Sequence, residues 1–97
     1  MKPVFLIALM TSVTPIVAMA REMCTTAHEM EASLIDWYGE TLVEGADRLE
    51  LQMWASQATG TWTLVRYLPD GNACTVAHGH NWAPQRADDL LLMALAD

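Results

Sequence analysis

The chain has 97 residues, and five basic against twelve acidic side chains give it a formal net charge of −7. A surface this acidic excludes the basic footprint that nucleic-acid phosphates demand, and it argues equally against docking on anionic lipid heads. It leaves open a basic partner, a cation, or simply a soluble, self-repelling surface.

Residues 1–20 read as a secretory signal peptide. Lys2 supplies the positive start, Val4 to Met10 the apolar stretch, and Ala18-Met19-Ala20 the small-x-small cleavage pattern. A permanent span needs roughly 18 to 20 apolar residues, and Thr11, Ser12, Thr14 and Pro15 interrupt this one. Lipidation would need a cysteine directly after the small residues, whereas Arg21-Glu22-Met23 precede Cys24. Cleavage after Ala20 leaves Arg21 to Asp97 as a single small α+β domain, periplasmic or secreted, with no stable membrane span. Its four arginines then face twelve acidic residues, a balance of −8.

In an oxidising compartment the two cysteines, Cys24 and Cys74, are best used as a disulfide. The bond would close a loop of 51 residues counting both ends, which chain entropy values at about 4 kcal/mol. That is comparable to the whole stability of so small a domain. A redox or metal-binding thiol pair would call for a CxxC spacing, which is absent.

Residues 25–38, TTAHEMEASLIDWY, have the pattern of an amphipathic helix. Thr26 and Glu29 fit a capping box. Ala27, Met30, Leu34 and Trp37 or Tyr38 recur at three- and four-residue spacing, and Gly39 suits a left-handed stop. Glu40 to Asp47 reads as a connection hinged at Gly45. Leu49 to Trp54 alternates as a strand, Gln57 to Gly60 as a hairpin loop, and Thr61 to Tyr67 as a second strand. Pro69-Asp70-Gly71 is a turn signal, and Ala73 to His78 a third strand. Pro84 and Asp88-Asp89 suit a helix start, with Asp89 to Ala96 rich in helix formers. The expected architecture is an N-terminal helix packed on a three-stranded antiparallel β-meander, stapled by Cys24–Cys74, with a short C-terminal helix. That last segment either covers the sheet's other face or docks on a partner.

His78-Gly79-His80 is the one constellation with metal-ligand character, since residues two apart on a strand point the same way. Zinc or copper would need further ligands, and His28 with Glu29 are the candidates. The bland reading is two histidines at a frayed strand end. Ser33 and Ser56 lie in no nucleophile motif, and no glycine-rich phosphate loop is present. The tryptophans weigh more. Trp54 falls opposite Leu49, Leu51 and Met53. Together with Tyr67 and Trp82 it is a candidate binding aromatic, of the kind enriched at contact surfaces, unless these rings fill a thin core.

The stretch from Leu49 to Trp82 carries Gly60-Thr61-Trp62-Thr63 and Pro69-Asp70-Gly71-Asn72-Ala73-Cys74. In these motifs the chain resembles small secreted proteins of Gram-negative bacteria with a leader, a cysteine, a helix and a GTWT…PDGxAC pattern. The resemblance implies a periplasmic or exported protein and assigns no activity; His78 and His80 are not part of the pattern. The expected function is a non-enzymatic, exported interaction module that binds a protein or cell-envelope component, one version being an inhibitor of a basic envelope enzyme. The alternative is a periplasmic protein holding a divalent metal on His78 and His80.

Overall fold

Thr26 and Gly39 bracket the first helix, as their capping chemistry dictates. The computed structural model describes residues 17–18 and 22–96, in which α1 runs Ala27–Tyr38. The Thr26 hydroxyl accepts from the Glu29 N–H at 3.1 Å. The reciprocal half of the capping box is altered: the Glu29 carboxylate accepts from the Thr25 hydroxyl, at 2.6 Å. Gly39 has φ +64°, a conformation that costs other L-residues. There its N–H donates to the Ile35 carbonyl and the Glu40 N–H to that of Leu34.

The sheet is larger than the expected three-stranded meander. Its strands are β1 (Val17–Ala18), β2 (Met23–Thr26), β3 (Thr41–Arg48), β4 (Leu51–Ala55), β5 (Trp62–Tyr67) and β6 (Asn72–Gly79). All pairings are antiparallel, in the order β1-β6-β5-β4-β3, and β2 also pairs with β6. The β4-β5-β6 meander is therefore the centre of a sheet extended on both sides.

The extra strands have physical reasons for escaping a periodicity reading. In β3 the register slips between Leu42 and Asp47, and Gly45 takes φ +80°, so no alternation survives. The Gln52 side-chain amide fills that gap, donating to the carbonyls of Val43 at 3.0 Å and Ala46 at 3.4 Å. The expected connection from Glu40 to Asp47 is thus mostly an edge strand. Strand β2 has only four residues, and Cys24 sits in register opposite Cys74, with the disulfide formed. Leu49, expected in a strand, occupies the turn into β4, with φ +57° and 80% of its surface exposed. Of the expected leader, only Val17 and Ala18 belong to the described residues, paired with Gly79 and His78; the rest of that segment lies outside them.

Each face of the sheet carries one helix. Met30 and Leu34 of α1 pack with Trp54, Val65 and Ala73. On the other face α2 (Ala87–Ala96), entered through a 3-10 turn at Pro84–Arg86, sets Leu90, Leu91 and Ala94 against Leu51, Met53, Trp62, Leu64 and Ala77. Leu92, Met93 and Leu95 remain exposed. The apolar stripe of α1 is shorter than its spacing suggests, because Trp37 is 82% exposed and Tyr38 also faces outward. Leu64 pairs with Ala77 and Val65 with Thr75, so Val76 is an extra residue in β6, a β-bulge. Among the described residues, no helix is long and apolar enough to cross a membrane.

Candidate functional site

A cavity of about 590 Å³ lies between α1 and the end of the sheet where β5 begins and β6 finishes. That volume falls within the range of small-molecule sites. Met23 of β2, with Met30, Leu34 and Tyr38 of α1, contributes to its largely apolar wall. The polar groups include Glu40, Thr61, Thr63, Ser33, His78 and His80, and Cys24 of the disulfide borders it as well.

Glu40 is the distinctive member. The left-handed cap at Gly39 turns the chain back under the end of α1, and the residue that follows is only 1% exposed. The neighbouring Thr63 and Thr61 hydroxyls favour its charged form, yet burial outweighs them and holds its pKa above the ordinary 4.5. Its Oε1 is buried without a hydrogen-bond partner. A buried acceptor left open costs free energy that any incoming donor would recover. Nothing in the spacing marked Glu40 in advance. The available signal was an acidic residue wedged between a helix-stopping glycine and a strand, followed later by the alternating threonines of Gly60-Thr61-Trp62-Thr63.

The histidines separate. His78 lies on β6 and His80 in the bend beyond it, both exposed at the cavity rim. The His80 carbonyl accepts from the Trp62 indole at 3.0 Å and from Arg86 at 3.1 Å, which fixes its backbone. His28 is exposed on α1 and does not border the cavity, and Glu29 is engaged with Thr25. The expected assembly of His28 with His78 and His80 is therefore not formed. Among the described residues, the one trio of potential ligand atoms within 4.8 Å is Glu22, Cys24 and Cys74, and its two sulfurs are bonded to each other.

The three candidate binding aromatics are placed differently. Trp54 is 5% exposed, because α1 covers that face of the sheet; it belongs to the core. Tyr67 is half-buried, its hydroxyl donating to Glu31 at 2.7 Å and accepting from the Trp54 indole at 3.2 Å. Burial first, then the bond to Glu31, raises its pKa above the usual phenol value. Trp82 is half-buried against the α2-side core. The exposed rings of α1 are Trp37 and Tyr38, one or the other of which the helical stripe had placed inside. Ser56 is buried, and its hydroxyl accepts from Thr59 in the β4–β5 turn at 3.2 Å. Comparison with protein-family models, with characterised proteins and with solved structures finds no match to this chain.

Proposed function

We propose that this chain is a non-catalytic, exported binding module whose cavity takes a small amphipathic ligand, with an apolar body and a cationic, hydrogen-bond-donating head seated on Glu40. The carrying observation is the buried Glu40 carboxyl, whose Oε1 has no partner at the side of a cavity walled by methionine and leucine. An apolar wall gives affinity, and one polar group gives orientation. The formed disulfide suits an oxidising, exported compartment, which is where a periplasmic or secreted carrier of an envelope component would work. The acidic balance of the chain favours a cationic ligand over an anionic one.

The test is a titration of isotopically labelled protein with hexylamine, hexanol and hexanoate, followed by amide shifts. Hexylamine should move Met30, Glu40 and Thr63, hexanol should bind more weakly, and hexanoate should not bind. Glu40→Gln should weaken the amine at least tenfold and leave the alcohol unchanged. Equal binding of hexanoate, or shifts confined to the opposite face of the sheet, would overturn the reading.

A second reading rests on both rim histidines bordering this same cavity. A divalent metal on His78 and His80 would need at least one more ligand, which the ligand or solvent would have to supply. Native mass spectrometry with added zinc decides it: stoichiometric uptake lost in His78→Ala supports this reading, and the bare mass alone removes it.

A further inference from the structure

The outer edge of β6 is held in two pieces. β2 pairs with residues 72–75, whereas His78 and Gly79 are paired on that side by Ala18 and Val17. Those two residues fall inside the segment that reads as a leader ending at Ala20. Among the described residues, both hydrophobic cores and the disulfide lie within residues 24–94, so the packing they provide does not depend on Val17 and Ala18. Loss of the leader would, however, strip the pairing from the last residues of β6, beside the cavity. An unpaired edge is a template for another extended chain, and β1 shows that this one accepts an antiparallel strand.

We propose that, once the leader is removed, the Ala77–Gly79 edge of β6 pairs with an extended segment of a basic partner protein, whose lysine or arginine opposite His78 enters the cavity toward Glu40. The inference rests on the cavity reading above and names the class of its ligand. Residues directly paired across antiparallel strands share a face. A residue opposite His78 therefore shares the face of His78 and of its other neighbour, Thr63, which is the cavity face. Adjacent strands lie about 4.8 Å apart, so the added strand would be about 10 Å from β5, where Thr63 borders the cavity together with Glu40. An extended lysine or arginine side chain with one hydrogen bond covers that distance. Its apolar stem would run along the methionine and leucine wall, and its charged head would approach the Glu40 carboxyl, whose buried Oε1 has no partner. A basic partner also complements the −8 balance of the processed chain.

The experiment uses the chain as recovered after export, its mass measured first, and two seven-residue threonine–valine peptides. One carries a central lysine and the other a central norleucine of similar shape without charge. The lysine peptide should shift the amides of Ala77 to Gly79 and of Thr63, and bind at least tenfold tighter than the norleucine peptide. Glu40→Gln should bring the two affinities together. A retained leader, unmoved Ala77–Gly79 amides, or equal affinities on the unaltered protein would each overturn the proposal. The peptide comparison on the unaltered protein keeps the test decisive even if the variant misfolds. Hexylamine binding without peptide engagement would sink this inference alone. Absent hexylamine binding, with both peptides bound equally at the edge, would remove the cavity reading as well.

Discussion

The Trp54 indole N–H donates to the Tyr67 hydroxyl across 3.2 Å, and that hydroxyl passes its own proton toward the Glu31 carboxylate at 2.7 Å. The relay joins β4, β5 and α1, and so fixes how the helix sits on the sheet. Tyr67→Phe removes the donor to a carboxylate and leaves the indole N–H without its acceptor. The expected loss is about 1–2 kcal/mol, a fall in Tm of about 5–10 °C for a domain of this size. Thermal unfolding followed by near-ultraviolet circular dichroism measures it; an unchanged midpoint would show that packing alone seats the helix.

Glu40 sets a pH dependence whose sign follows from its raised pKa. Between the ordinary value of 4.5 and the raised one, the folded chain holds a proton that the unfolded chain has released. This contribution to stability is present in full below the ordinary value and is lost as pH rises through the raised one. Urea denaturation between about pH 4 and pH 8 should therefore show a downward step that Glu40→Gln abolishes. A step of the same size in the variant would assign the effect to another group.

The Gly39 cap can be tested separately from packing. A Cβ there would meet nothing within 4 Å, and the φ is +64°, so Gly39→Ala should cost about 1 kcal/mol through conformation alone. Asparagine tolerates this region better than alanine and should recover part of the loss. Chemical denaturation of both variants gives the comparison. If both cost the same, the left-handed backbone is not the reason.

Reduction of Cys24–Cys74 should remove about 4 kcal/mol by releasing a long loop in the unfolded chain. Urea midpoints with and without reductant, and for the Cys24→Ser/Cys74→Ser pair, check this. The two should agree. Unchanged midpoints would mean that the loop is already constrained in the unfolded state.

Much of the fold was legible where local chemistry acts alone. Thr26 and Gly39 bounded the helix, Pro69-Asp70-Gly71 turned the chain, and Cys24 found Cys74. The strands that were missed depend on distant partners. β3 keeps its shape through the Gln52 side chain and a slipped register, and neither leaves a period in the sequence. The covering of Trp54 was hidden for a related reason, since alternation tells which residues share a face but not which helix covers it. Glu40 was illegible because only the reversal after Gly39 carries it under α1.

The extra residue at Val76 has a consequence for the site itself. Along β6, Ala73 faces α1 and Thr75 reaches its Met30 sulfur, a spacing of two, and then the phase jumps by one. From there on, even-numbered positions take the side that odd-numbered ones held before. An uninterrupted strand would have turned His78 toward α2, opposite Trp62, and put Ala77 beside Thr63. One inserted residue thus decides which face the end of the strand presents, and length in this segment matters more than the identity of the side chain inserted.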